Sequence, residues 1–297
     1  MNKYIALLIS FFLFGTLHSK DYEFERGMGN LIGKETWSRC SEKLASKEAK
    51  EYELSYERST TMPKSPFAGE YEPKFLPPVG LAGSKQIYNM DVLNENVNDG
   101  NQGTQMDAFG HFSHTQEKWD GESDLKAEDA KYFGGFTQKE VKPSPDSPLL
   151  KLGMETVPPI ITSAILLDVR KHIFKGKPME AGQYVTVEHL KKTIELSGLS
   201  ERGLKPGDVV LINTGWSDHY EDPDISKIYY SYAPGISYET AKFLGTKKVV
   251  AVGLDTPFVD AVPNPNSEKI RKLILDKKSK FNKTTDLLLY LSSRSEN

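Results

Sequence analysis

The second half of the chain alternates short apolar runs with amphipathic stretches. Continuous apolar runs at residues 164–167, 209–212 and 249–252 have the length of buried strands. Strands without a polar face are typical of a sheet that is covered on both sides. The alternation of these runs with helical patterns predicts an α/β fold.

Two of the amphipathic stretches carry signals for the start and the end of a helix. Thr186 precedes a stretch whose apolar positions recur at the helical period, and Gly198 follows that stretch. Ser237 and Gly245 bracket the second stretch in the same way. A Thr or Ser hydroxyl accepts a hydrogen bond from a backbone N–H of the first turn, and Gly commonly ends a helix.

The first half of the chain is patterned less regularly. Trp37, Cys40 and Leu44 predict the buried stripe of a helix over residues 34–50, and alternation over residues 52–56 predicts a strand. The remaining stretches are predicted to be loops at 60–85, 94–110 and 120–160, with a strand at 86–92.

The N-terminus has the pattern of an export signal. Lys3 precedes a mostly apolar run over residues 5–17, and the polar chain begins at Lys20. Because this run is shorter than the roughly 18 residues that a membrane span needs, it predicts a signal peptide over residues 1–19. We expect a periplasmic or secreted protein without a membrane span after cleavage; the alternative is an uncleaved N-terminal anchor.

Composition and charge narrow the classes of function. Of the 297 residues, 38% are apolar and the formal net charge is -3. Such a chain can bury the core of a folded domain, and so small a net charge gives no reason to expect nucleic acid as a partner. Cys40 is the single cysteine, which excludes an internal disulfide and a cysteine-based metal cage.

The densest cluster of residues that can carry chemistry lies between residues 101 and 114. It contains Asn101, Gln105, Asp107, His111 and His114. Carboxylate and imidazole groups are suitable ligands for zinc or manganese. A polar loop whose Asp and His side chains merely cap turns would have the same composition, so the residues alone leave both interpretations open.

The same segment resembles the signature of the metal-dependent cyclase family, which includes bacterial kynurenine formamidases and isatin hydrolases. The residues that match, in the form of the signature with Gln at its second His position, are Gly103, Thr104, Gln105, Asp107 and His111. Further segments resemble the family in the same order, at residues 166–169, 207–211, 214–216, 234–237 and 252–256. The resemblance covers residues 26–266.

The resemblance implies a mixed β/β/α domain of the swivelling cyclase-like type, here a single domain over residues 20–297 with a divergent tail at 267–297. It implies a homodimer and a metal-dependent hydrolase that opens a small aryl formamide or cyclic amide. Asp107, Gln105 and Asn101 would bind zinc or manganese, and His111 would be the catalytic acid and base. Phe109 and Trp216 would contact an aromatic substrate, although both side chains equally suit a core.

Two departures from the family pattern support a different hypothesis. Asn101 stands where the signature has its first His, and no His follows His219, although the family has a His and a Glu near its C-terminus. The alternative is therefore a catalytically impaired family member that acts as a binding or scaffold protein. Asp168 and Asp255, which end apolar runs, are further candidates for either a site or a turn.

Overall fold

The structure is a computed structural model, and it describes residues 23–47, 49–63, 65, 71–92, 103–115, 123, 127–220 and 229–262. The predicted signal peptide at residues 1–19, the predicted metal ligand Asn101 and the tail at 267–297 lie outside the described residues. Within the described ranges, no helix is both long and apolar enough to cross a membrane.

The N-terminal part is helical. Its elements are two 3-10 helices, Glu23–Glu25 and Gly27–Leu31, and the helix α1, Lys34–Leu44. The predicted buried stripe of α1 is wrong, because Trp37 and Leu44 are 52% and 76% exposed and Cys40 is half-buried. Thr36 is buried instead, and its side chain lies against the backbone turn at Gly207. The helix also ends before the predicted residue 50.

Four short strands follow: β1 (Lys74–Phe75), β2 (Val79–Gly80), β3 (Ile87–Tyr88) and β4 (Asp91–Val92). β1 pairs with β4 and β2 pairs with β3, both antiparallel. The loop predicted over residues 60–85 thus contains β1 and β2, and the strand predicted over 86–92 is divided between β3 and β4. The strand predicted over residues 52–56 is wrong, because residues 49–63 contain no strand and Tyr52 and Leu54 are exposed.

Short helical turns occupy much of the stretch that was predicted to be loop. They are the 3-10 helices Phe109–His111, Ala127–Asp129, Phe133–Gly135 and Met154–Thr156, and the one-turn helix α2, Gln138–Val141. Phe133, Val141 and Leu152 form a small core of their own beneath these turns.

The predicted alternation of strands and helices is confirmed from residue 164 onward. The elements are β5 (Ala164–Asp168), α3 (Val169–His172), β6 (Tyr184–Val185), α4 (Val187–Leu196), β7 (Val209–Asn213), β8 (Gly235–Ile236), α5 (Tyr238–Thr246) and β9 (Ala251–Leu254). β5, β7 and β9 form a parallel sheet in that order, and β6 pairs with β8 in parallel. The α/β class is therefore confirmed.

One face of the parallel sheet forms the main core. Alternate residues of β5 and β7 are buried there, namely Ile165, Leu167, Val210 and Ile212. They belong to the same core cluster as Leu190 of α4 and Leu244 of α5. On the opposite face, Leu166 is 58% exposed. The prediction that both faces are covered is thus wrong at Leu166 for the described part of the chain.

Candidate functional site

The cluster predicted from the sequence lies on a turn that is anchored by a close backbone contact. Gly110, in the 3-10 helix Phe109–His111, donates its N–H to the Leu152 carbonyl at 3.0 Å. A Cβ atom at residue 110 would lie 2.9 Å from Leu149 Cδ1 and 3.2 Å from the Leu152 oxygen. Because a side chain does not fit there without displacement, Gly110 fixes the position of the neighbouring His111.

Two further contacts support this turn. The Phe109 ring stacks on the Phe133 ring with 4.4 Å between centroids and an interplanar angle of 18°. The buried Glu25 carboxylate accepts hydrogen bonds from Lys151 Nζ at 2.9 Å and from the Leu152 N–H at 2.7 Å. Since the candidate turn bonds to the carbonyl of the same Leu152, the first 3-10 helix and the candidate turn share one anchor.

Gln105, Asp107 and His111 are all exposed. The Gln105 Nε2 amide donates to Asp107 Oδ1 at 3.0 Å, which orients the carboxylate. The His111 ring lies edge-on to Phe112, with 4.3 Å between centroids. An oriented carboxylate and an accessible imidazole, four residues apart on an anchored turn, suit general acid–base chemistry.

The described residues do not by themselves make a metal site. Among them, no three His, Cys, Asp or Glu side chains lie together in a way that could hold an ion. A catalytic zinc site uses about three protein ligands. Asp107 and His111 are donors of the right type, but the further ligand that the resemblance implies, Asn101, lies outside the described residues.

Trp216 and Phe109, the predicted substrate contacts, lie in different environments. Trp216 is 3% exposed, packs with Ala181 and Ala233, and donates its indole N–H to the Tyr229 carbonyl at 3.3 Å. Phe109 keeps 37% of its surface exposed. Phe109 therefore offers surface to a ligand, whereas Trp216 supports the neighbouring structure from the core.

The carboxylates at the ends of two parallel strands hold backbone turns. Asp168 caps α3 by accepting from the Lys171 N–H at 2.9 Å. Asp255 accepts from the Thr214 N–H at 2.9 Å, from the Thr214 hydroxyl at 2.6 Å and from the Gly215 N–H at 2.7 Å. Because both carboxylates already hold backbone groups, the structural interpretation of Asp168 and Asp255 is favoured.

Comparison with known families decides which group of proteins this fold represents. A model of the Cyclase family matches residues 52–261, well over half of the chain. The chain belongs to the Cyclase family. The resemblance inferred from the sequence is thereby confirmed, and the matched range of this cyclase-family protein includes Gln105, Asp107 and His111.

One solved structure agrees with this chain at the level of the fold. A crystal structure described as a novel cyclase has a TM-score of 0.64 and 18% identity, and the alignment covers 80% of this chain and 74% of that chain. Isatin hydrolase A from Ralstonia solanacearum is 16% identical with a TM-score of 0.45, over 81% of this chain and 75% of its own. At these identities the first likeness concerns the fold alone, and the second score is too low to carry an argument. No curated protein matches the chain.

Sequence reasoning missed one group of residues beside the motif of this cyclase-family protein. Burial raises the pKa of Tyr220 and of Tyr230, the positive charge of Arg58 acts to lower the pKa of both, and Arg58 Nε lies 3.9 Å from where a Cβ atom would be at Gly103. The tyrosines at residues 229, 230 and 232 are visible in the sequence, but no spacing or periodicity relates them to residue 58. Only the fold brings these segments together.

Proposed function

We propose that this cyclase-family protein is a hydrolase that opens the amide bond of a small aryl formamide or cyclic amide, with zinc or manganese as its metal ion. One observation carries the proposal: the family match over residues 52–261 contains Gln105, Asp107 and His111 in the spacing of the family signature. The metal part of the proposal rests on that signature, since the described donors are fewer than a metal site needs.

The roles of the three residues follow from their chemistry. Asp107 would be the anionic metal ligand. Gln105 orients the Asp107 carboxylate through its Nε2, and its amide oxygen would be a neutral ligand. Hydrolysis adds a hydroxyl to the carbonyl carbon and a proton to the leaving nitrogen. His111 takes a proton from the attacking water and delivers it to that nitrogen, for which an accessible imidazole is suited.

The test compares an Asp107→Ala variant with the wild type in the presence of zinc or manganese. Turnover of N-formyl aryl amines and isatin-like lactams should fall by ~100-fold or more, because metal-assisted catalysis is worth several kcal/mol. Metal content, measured by elemental analysis, should fall with it. Asp146→Ala, at an exposed loop carboxylate, is the matched control and should retain both. Unchanged turnover in Asp107→Ala would overturn the proposal.

The second candidate function is a binding or scaffold protein on the same fold. The small donor set among the described residues, together with Asn101 in place of a His, favours it. A wild-type protein that binds no metal and shows no turnover, even with zinc and manganese in excess, would select this candidate over the hydrolase.

Export and self-association remain proposals beside the activity. The signal peptide at residues 1–19 and the resulting periplasmic or secreted location are supported by the apolar N-terminal run. The homodimer is supported by the family resemblance.

A further inference from the structure

A cluster of four tyrosines lies beside the candidate motif. Tyr56 stacks on Tyr220 with 4.5 Å between centroids and an interplanar angle of 17°. Tyr220 lies edge-on to Tyr229 at 5.2 Å, and Tyr229 lies edge-on to Tyr230 at 4.9 Å. The Trp216 indole, which donates to the Tyr229 carbonyl, joins this tyrosine cluster (Tyr56, Tyr220, Tyr229 and Tyr230) to the core. Tyr56, 42% exposed, gives the cluster an accessible aromatic face.

The tyrosine cluster is placed at the start of the motif through Gly103. The Gly103 backbone N–H hydrogen-bonds to the Tyr230 hydroxyl. A Cβ atom at residue 103 would lie 3.9 Å from Arg58 Nε. Gly103 precedes Gln105 by two residues, so the tyrosine cluster and the Arg58 guanidinium adjoin the backbone that leads directly into the Gln105–Asp107 pair.

The Arg58 guanidinium and the Tyr220 hydroxyl are hydrogen-bond donors without an acceptor among the described residues. Among the described residues, no carboxylate lies within ion-pair distance of the exposed Arg58 guanidinium. The Tyr220 hydroxyl is buried and, within the same residues, has no hydrogen-bond partner. Burial raises the pKa of Tyr220, and it raises the pKa of Tyr230 to about 12, so both hydroxyls keep their protons at neutral pH.

We propose that Arg58 and the tyrosine cluster bind the carboxylate of an aryl carboxylate substrate, next to the Gln105–Asp107 pair. A guanidinium fork and a neutral hydroxyl match a carboxylate, and stacked tyrosine rings match an aromatic ring. Because a buried hydroxyl without a partner is unfavourable, a ligand oxygen at Tyr220 would satisfy it. The proposal rests on the proposed hydrolase function and narrows its substrate to an anionic aryl amide.

Binding without turnover tests this subsite separately from the reaction. The probes are 2-aminobenzoate, which carries the carboxylate, and aniline, which lacks it, titrated into the full-length protein by calorimetry. The wild type should bind 2-aminobenzoate at least about tenfold more tightly than aniline, since a hydrogen bond to a charged group contributes ~1.5–3 kcal/mol.

Two variants assign this preference to the named side chains. Arg58→Gln should remove the preference of about tenfold for 2-aminobenzoate, and Tyr220→Phe should reduce it several-fold. Lys50→Gln, which removes an exposed positive charge elsewhere, is the control and should leave the preference unchanged. Thermal unfolding shows that each variant is folded before it is titrated.

The outcomes separate this proposal from the proposed function. Equal binding of the two probes by the wild type, or an unchanged preference in folded Arg58→Gln, would overturn the subsite even if Asp107→Ala abolishes turnover. A preference that Arg58→Gln removes would support the subsite even if the wild type hydrolyses none of the amides tried.

Discussion

The candidate turn is held in place by a close contact between the backbone at Gly110 and the backbone at residues 151–152. A glycine at residue 110 permits this contact. An alanine methyl at this position would lie 2.9 Å from Leu149 Cδ1 and 3.3 Å from the Lys151 oxygen. Gly110→Ala should lower the free energy of unfolding by about 1–3 kcal/mol, the usual effect of overpacking. Turnover should fall as well, because His111 adjoins the displaced residue. Urea denaturation and an activity assay of the same sample measure both effects.

The control for this substitution is Gly245→Ala in α5. A Cβ atom at residue 245 meets nothing within 4 Å, and the glycine is inside a helix. Alanine there should raise the free energy of unfolding by roughly 0.5–1 kcal/mol, because glycine is the less favourable residue in a helix. If Gly110→Ala were as stable as the wild type, the backbone contact at residue 110 would not be the constraint described above.

The type of a residue was easier to predict from the sequence than its surroundings. Asp107 and His111 stand out by chemistry and spacing alone. Arg58 and Tyr220 do not, because their proximity depends on segments more than a hundred residues apart. For the same reason the apolar spacing at Trp37 predicts the wrong buried face of α1. The contact with the Gly207 turn buries Thr36 instead.

At the scale of elements, local hydrogen bonds made helix starts predictable. Ser237 accepts from the Thr240 N–H at 3.2 Å, a contact that spans three residues and needs no tertiary structure. The strand predicted from the apolar run at residues 249–252 is β9, which covers Ala251–Leu254. Its limits are set by pairing with β7, in which Val209 is opposite Ala251. The apolar run does not predict these limits, because Val249 is buried although it does not belong to the strand.

The cap of α4 gives a prediction at this scale. The Thr186 hydroxyl accepts from the His189 N–H at 3.2 Å, and the His189 Nδ1 accepts from the Thr186 N–H at 3.3 Å. Thr186→Ala should destabilise the protein by about 1 kcal/mol, whereas Thr186→Ser keeps the hydroxyl and should have a much smaller effect. Thermal unfolding compares the two variants. Equal losses in both would attribute the effect to the methyl group of Thr186 rather than to the cap.

At the scale of the whole molecule, one buried carboxylate connects parts of the chain that are far apart in sequence. Asp208 accepts hydrogen bonds from Arg202, from the Ser163 hydroxyl at 2.6 Å and from the Lys205 N–H at 2.8 Å. Arg39, on α1, lies 3.6 Å from the same carboxylate. The sequence could not predict this connection, because it depends on how α1 and the sheet are placed relative to each other.

The same carboxylate couples stability to pH. Burial acts to raise the pKa of Asp208, but the hydrogen bonds from Arg202, Ser163 and the Lys205 N–H outweigh it, so the pKa is lowered from its ordinary value of 3.8. A group whose pKa is lower in the folded state than in the unfolded state stabilises the fold fully above the unfolded pKa. That contribution is lost as the pH falls through the folded pKa.

Replacing Asp208 with Asn therefore has an effect that should depend on pH. At pH 7, Asp208→Asn should lower the free energy of unfolding by about 3–5 kcal/mol, because Arg202 is left without its carboxylate partner. The difference from the wild type should be constant down to about pH 5 and should shrink below about pH 4, where the unfolded carboxyl is protonated. Urea denaturation across this pH range measures the difference.

The control is Asp218→Asn, which removes the exposed partner of Arg170 and should change the free energy of unfolding by less than about 1 kcal/mol. A difference for Asp208→Asn that persists unchanged in acid would mean that shape rather than charge determines the role of this residue.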